Sequence, residues 1–594
     1  MTRRYANAFL GTALTLLLML TPVATAQTPA GSSSAQNAAT QATPTFKVTT
    51  RLVVVDVVAT DKKGVAIKDL KVEDFSILEE NHPQKIRAFS FQAPAQEAAA
   101  APAKLPPNRI TNTPTFKSGG PLNVVLIDGL NISSPQKLKY AKDEMLKMLE
   151  KLPAGQPVAV YALGSKLRLL QDFTTDPGLL KTAIHSLKSR SAPRLDSSIP
   201  ASDPAIIQAL QEMNMQSMIG QITAFQQDNE VYQTDYRVRL TLAALRGLAR
   251  HLSGYSGRKN LIWVSDVFPS YLYPELNPTQ GVTSLESQGR AARRDYSLEI
   301  EQTSDALSNA HIAVYPVDTR AVGNTDPYSN LSNTDAVGTR LGRSNQADNL
   351  SRAVNDPLDS HITMNTIADS TGGRAFYNTN DLDGAIRQGL EDGSTYYTLG
   401  YYPEDKNWDG KFRKIVVKVE RRGVKLRFRQ GYYAADPHGY GKMEEKKRAM
   451  DFGLALNMET PVSTALLFQA AIVPQNGNRV QVNYGIDAHG ISFDLSEDGV
   501  QHASVDCAVE VYSKKRESKG VRGNTFNADL PPEQYQLVMQ KFLPCNQVLE
   551  LPDGEYVLRL GVRDNHTGMI GTANASLTVP ASPVAAAEGT GPAK

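Results

Sequence analysis

The sequence predicts a multidomain protein: a doubly wound α/β domain inserted in a small β-sandwich, followed by a C-terminal β-sandwich. Three observations predict it. Between 121 and 395, short wholly apolar runs alternate with stretches whose apolar residues recur at helical spacing, the pattern of a parallel sheet covered on both faces. Three strand-like segments precede residue 92 and three more follow residue 396, and each set lacks partners of its own. From 462 to 580, strands recur with turn signals between them, at immunoglobulin-like size.

Taken in order, 1–26 reads as a signal peptide. Arg3 and Arg4 form a basic start, an apolar core follows, and Ala24-Thr-Ala26 is a cleavage site. Export to the periplasm or the cell exterior is expected, with no transmembrane anchor. Residues 27–45 are an Ala/Thr/Ser/Gln-rich linker. Segment 46–92 carries the first strands, with Val48, Leu52, Val54 and Val57 alternating with polar neighbours. Residues 93–120, rich in Ala and Pro, read as a second linker.

The α/β region opens with Asn123-Val-Val-Leu-Ile-Asp128, a run apolar enough to be buried on both faces and ending in one carboxylate. Ser134 and Pro135 suit the cap and first position of the helix that follows. Its positions Leu138, Ala141, Met145, Leu149 and Leu152 recur at helical spacing. Further strands are expected at 157–164, 260–266 and 312–317, an antiparallel companion at 167–171, and an edge strand at 374–377. Residues 189–235 and 321–355 are insertions. Segment 396–434 completes the small sandwich, 435–461 is a helical spacer, 462–580 is the C-terminal β-sandwich and 581–594 is a disordered tail.

Net charge is +2 over 594 residues, so the total favours neither nucleic acid nor an acidic surface. There are two cysteines, Cys507 and Cys545. In an oxidising compartment their even number favours a disulfide, and two buried thiols are the alternative.

The α/β region resembles a von Willebrand factor type A domain through Val124-Val-Leu-Ile-Asp128, Gln156-Pro-Val-Ala-Val160, Asp172-Phe-Thr-Thr-Asp176, Ile262-Trp-Val-Ser-Asp266, Ala313-Val-Tyr-Pro-Val317 and Ile367-Ala-Asp-Ser-Thr-Gly-Gly373. More narrowly, Gly257-Arg-Lys-Asn-Leu-Ile-Trp263, Trp408-Asp-Gly-Lys-Phe-Arg413, Gly431-Tyr-Tyr-Ala434 and Leu551-Pro-Asp-Gly-Glu-Tyr-Val-Leu-Arg-Leu-Gly561 resemble the exported "VWFA-related" group described mainly from Acidobacteria. The resemblance implies a protein-binding or adhesion role and no established catalytic activity.

It also implies a metal-ion-dependent adhesion site of pattern D-x-S-x-S, with a loop Thr and a second Asp. Asp128 and Asp266 match the two acids, but the serine positions hold Leu130 and Ile132. Asn131 and Ser133 offer oxygens one residue out of register. A degenerate site for Mg²⁺ or Mn²⁺ would therefore rest on Asp128, Asn131, Ser133 and Asp266. The competing expectation is that Asp128 caps its own loop through backbone N–H groups.

Other motifs give way to plainer readings. Asp405-Lys-Asn407-Trp-Asp409-Gly410 begins like a Ca²⁺ loop, but Val416 stands where a bidentate Glu is needed, so a hairpin turn is expected. No H-E-x-x-H, G-x-S-x-G or P-loop occurs. The expectation is an exported, non-enzymatic protein that binds a protein or cell-envelope ligand. The alternative is a structural envelope scaffold that works through its β-domains, and a hydrolase ranks third.

Overall fold

The computed structural model describes residues 52–93, 106, 108–114, 120–132, 135–152, 155–187, 204–266, 271–272, 294–320, 360–436, 439–475 and 478–579. The signal peptide, the first linker, Ser133, Ser134, the whole 321–355 insertion and the tail lie outside these residues.

The strands before the α/β layer are β1 (Val53–Thr60), β2 (Phe75–Glu79), β3 (His82–Gln84), β4 (Ile86–Gln92) and β5 (Arg109–Thr111). The α/β layer comprises β6 (Leu122–Asp128), α1 (Pro135–Glu150), β7 (Val158–Leu163), β8 (Leu167–Thr174), α2 (Pro177–Ser186), α3 (Pro204–Glu212), α4 (Gln216–Leu252), β9 (Lys259–Ser265), β10 (Tyr271–Leu272), β11 (Arg294–Asp295), α5 (Ser297–Asn309), β12 (Ile312–Asp318), α6 (360–371) and α7 (Leu382–Asp392). Four strands follow: β13 (Tyr396–Tyr401), β14 (Phe412–Val419), β15 (Lys425–Arg427) and β16 (Gly431–Tyr433). The C-terminal part holds α8 (Glu445–Leu456), β17 (Phe468–Pro474), β18 (Arg479–Ile486), β19 (Asp494–Leu495), β20 (Gln501–Ser513), β21 (Ser518–Leu530), α9 (Pro532–Gln540), β22 (Leu543–Glu550), β23 (Gly554–Asp564) and β24 (Ile570–Val579).

The central sheet runs β12-β9-β6-β7-β8, parallel except for β8. Every residue of β6, β7, β9 and β12 is buried, as their unbroken apolar runs require. One core lies on each face: Leu126, Leu245, Trp263 and Ile300 on one, Met145, Ile184, Val264 and Ile386 on the other. The edge strand expected at 374–377 is only a bridge, Val317 to Phe376. The left-handed backbone of Asn378 (φ 54°) ends the extension there.

Strands that precede and follow the α/β layer pair with each other. β1 lies antiparallel to β13, and β2 to β14. The two four-stranded sheets, β15-β1-β13-β4 and β16-β14-β2-β3, close on one core that includes Val55, Val57, Ile77, Tyr397, Leu399 and Val417. Inside it the buried Glu79 accepts from Tyr401 (2.6 Å), Tyr432 (3.1 Å) and Arg413 (3.3 Å), which satisfies a charge removed from water. Burial and this carboxylate push the Tyr401 and Tyr432 hydroxyls well above the usual phenol range.

Two readings of the connecting segments are corrected. Within 93–120, Arg109–Thr111 is not a linker but an edge strand on β17. Asn112 fixes it. Its Nδ2 donates to the Ser463 and Leu466 carbonyls (2.9 and 2.8 Å), and its Oδ1 accepts from the Phe468 N–H (2.8 Å). Within 435–461, α8 is not a free spacer. Phe452, Ala455 and Leu456 pack on Ala508 and Ile570, and the buried Arg559 donates to the Ala455, Thr460 and Pro461 carbonyls. In the C-terminal part, sequence pattern also missed β19, β21, α9 and β22. The Gly520 and Gly523 interruptions hide the strand pattern of β21, which is satisfied by pairing along β20. Among the described residues no helix is long and apolar enough to cross a membrane, which says nothing of a β-barrel.

Two measurements check this arrangement. Asn112→Ala leaves the Leu466 carbonyl and the Phe468 N–H without that partner, while the Ser463 carbonyl keeps the Thr572 N–H (2.9 Å), so it should cost about 2 kcal/mol in denaturant unfolding and expose the Phe468 amide to hydrogen exchange. The second concerns Lys259, fully buried at the start of β9, where its Nζ donates to the Tyr255 carbonyl (2.7 Å). Burial pulls its pKa down to about 7. The unfolded chain holds that proton up to the ordinary lysine range and the folded chain releases it earlier. Wild-type stability relative to Lys259→Met should therefore rise between pH 7 and about 10. A flat difference across that window would contradict the burial.

Candidate functional site

Parallel strands place their C-terminal ends together, and in open α/β sheets ligands bind outside those ends. Here β6 ends in Asp128, β9 is followed by Asp266 and β12 ends in Asp318. All three carboxylates are buried, and each meets a different set of neighbours.

Asp128 is bonded entirely by uncharged donors. Its Oδ1 accepts from the Asn131 backbone N–H (3.1 Å). Its Oδ2 accepts from Asn131 Nδ2 (2.8 Å), Trp263 Nε1 (3.0 Å) and Ser265 Oγ (3.0 Å). Burial raises its pKa and these bonds oppose the rise. The Asn131 amide is oriented by a second contact, since Nδ2 also donates to Thr241 Oγ1 (2.8 Å), whose own hydroxyl donates to the Arg237 carbonyl (2.9 Å). Asn131 thus turns its nitrogen, not its oxygen, toward Asp128.

Asp266 and Asp318 are held by cations. Lys137 Nζ, from the first turn of α1, lies 3.0 Å from Asp266 Oδ2, and Arg320 Nε lies 3.5 Å from Asp266 Oδ1. Arg320 also forks Asp318, with Nε 3.0 and 2.9 Å from its two oxygens and Nη2 2.7 Å from Oδ2. His361 Nε2 lies 2.8 Å from the same Oδ2 and its ring stacks on Tyr377 at 4.2 Å. Bonds from His361 and Arg320 hold the Asp318 carboxyl below its usual range, against the effect of burial.

The structure therefore brings Asp128, Asn131 and Asp266 to one edge; Ser133 lies outside the described residues. A divalent ion needs oxygen lone pairs turned toward one point. Here Trp263, Ser265 and Asn131 donate into the Asp128 carboxylate, and Lys137 and Arg320 meet that of Asp266. This donor set does not fit a metal ion. Among the described residues, no group of three or more His, Cys, Asp or Glu is arranged to hold one. Sequence reasoning missed Asp318, Lys137, Arg320 and His361. The terminal Asp of a third buried strand was the available signal for Asp318. Nothing local marks the other three.

The remaining candidates fall elsewhere. The 405–410 turn is closed by its own backbone: Asp405 Oδ1 accepts from Asn407 N–H (2.9 Å) and Asp409 Oδ1 from Lys411 N–H (3.1 Å). Cys507 on β20 and Cys545 on β22 meet sulfur to sulfur between the two C-terminal sheets, with Cα atoms 7.1 Å apart. On the turn before β20, Ser496 Oγ lies 3.0 Å from His502 Nε2, and His502 Nδ1 lies 2.6 Å from Asp529. This resembles a nucleophile–base–acid row. However, the Ser496 hydroxyl also bonds Asp498 and the Val500 carbonyl, and the Asp529 side chain is 75% exposed, so the row is not desolvated.

No family model and no curated protein matches the chain. Among solved structures it is similar to an aerotolerance-related membrane protein from Bacteroides fragilis, with 13% identity, 46% of this chain and 99% of that chain covered, and a TM-score of 0.23. It is also similar to the vWF domain of the type V pili tip protein Mfa5 from Porphyromonas gingivalis, with 13% identity, 46% and 94% covered, and a TM-score of 0.23. A third is proximal thread matrix protein 1 from the mussel byssus with a zinc-occupied MIDAS motif, with 9% identity, 48% and 47% covered, and a TM-score of 0.20. These likenesses are too slight to carry an argument. What the structure itself shows is the strand order β12-β9-β6-β7-β8, with one acid ending β6 and another just after β9. The α/β layer is a mainly parallel sheet with helices on both faces.

Asp128→Ala would strand the Trp263, Ser265 and Asn131 donors in a dry site. The expected loss is on the order of 3 kcal/mol in chemical denaturation. A change below about 0.5 kcal/mol would mean that the hub does not support the sheet edge.

Proposed function

We propose that this is an exported, non-enzymatic binding protein. Its von Willebrand A-like layer presents a protein or cell-envelope ligand with the strand-end edge and the neighbouring insertions. One observation carries the reading. On α4, Met218, Phe225, Tyr232 and Tyr236 are 43%, 61%, 64% and 43% exposed. Spacings of seven, seven and four place them on one side of the helix. Val238, Leu242, Leu245 and Ala249, on the opposite side farther along, are buried in the core. A single helix thus has two apolar faces, and among the described residues only one of them is packed into the core. Apolar surface gathered in this way suits a protein partner.

The adhesion site is degenerate on this reading: the acids remain at the edge, and N–H and ammonium donors take the role of the metal. The small β-sandwich carries the inserted α/β domain, with the boundaries 46–92, 121–395 and 396–434. A Cys507–Cys545 disulfide ties the C-terminal β-sandwich, as an oxidising compartment permits. The scaffold alternative, acting through the β-domains without a metal, has the long edge strand β21 in its favour, since its outer residues are largely exposed.

A crosslinking pull-down from the native envelope tests the proposal. Wild-type protein should capture a defined partner that the double variant Phe225→Asp/Tyr232→Asp loses, with and without chelator alike. Equal capture by both proteins would move the interaction to the β-domains.

A further inference from the structure

We propose that Lys137 is the resident cation of the strand-end edge, so that with Arg320 it supplies the charge a divalent ion would bring. Asp266 is 0% exposed, and a carboxylate so far from water needs donors or opposite charge beside it. Lys137 meets one of its oxygens at 3.0 Å and Arg320 the other at 3.5 Å. Arg320 is itself held by the bidentate fork on Asp318, with His361 on that same carboxylate. Two fixed positive charges thus serve Asp266 and Asp318, while Asp128 beside them is met by uncharged donors.

Position favours the arrangement further. Lys137 sits in the first turn of α1, the helix that leaves the end of β6, so the loop that carries Asp128 also delivers the ammonium. The Lys137 side chain is 27% exposed, so the charge sits at the surface of the edge while its counter-ion is buried. A cation built into the chain cannot be chelated or exchanged. The edge therefore keeps its charge at any divalent-ion concentration. This deepens the binding reading and rests on it only for the partner; the charge arrangement stands by itself.

Thermal unfolding of the full chain tests it. Wild-type Tm should be unmoved by millimolar MgCl2, MnCl2 or EDTA. Lys137→Met keeps the apolar stem and removes the charge, and it should lower Tm by on the order of 5 °C. Lys137→Arg should restore most of that loss, which a role in packing alone would not require. A wild-type Tm raised by Mg²⁺ or Mn²⁺ overturns the proposal, as does a Lys137→Met variant as stable as wild type. Should Lys137→Met fail to fold, the wild-type metal titration and Lys137→Arg decide between the same outcomes. If the pull-down finds no partner while these unfolding results hold, the binding reading fails and the resident cation stands.

Discussion

A carboxylate taken out of water must be given donors, and the edge of the central sheet is built around that requirement. Three strands deliver Asp128, Asp266 and Asp318 into buried positions. Asp128 is satisfied by Trp263, Ser265 and Asn131, and these contacts tie β6 to its neighbour β9 and, through Thr241, to α4. Asp266 and Asp318 are satisfied by Lys137, Arg320 and His361. Uncharged donors surround Asp128, and fixed cations stand beside Asp266 and Asp318.

The same rule governs the rest of the molecule. Glu79 in the flanking core is met by two tyrosines and Arg413. At the junction with the α/β layer, Asp56 accepts from Thr398 (2.9 Å), and the His311 ring lies 3.0 Å away. Arg559 donates to carbonyls at the end of α8 and just beyond it. In each case a buried polar group joins segments far apart in sequence. These contacts specify how the parts meet, while the apolar strands supply the burial that stabilises them.

Much of the α/β layer was legible because burial on both faces demands unbroken apolar runs, and β6, β7, β9 and β12 have them. Its helices were legible from apolar spacing, as in Ala141, Met145 and Leu149, all buried. Short or polar elements were not. β5 has three residues and gains its strand geometry only from the edge of β17, and β21 carries glycines and a largely exposed face. Of the site, Asp128 and Asp266 could be read as strand-ending acids. Lys137 and Arg320 could not, because surface lysines and arginines are common and only proximity gives these two their role.

By itself, the sequence determined which segments are buried strands and core helices, and that two acids end neighbouring strands, because periodicity and apolar run length are local properties. Tertiary structure alone decided what those acids meet. The register of β6 against β9 sets Trp263 and Ser265 on Asp128, and the start of α1 brings Lys137 to Asp266. Those distances depend on packing between segments more than a hundred residues apart, and no local pattern encodes them.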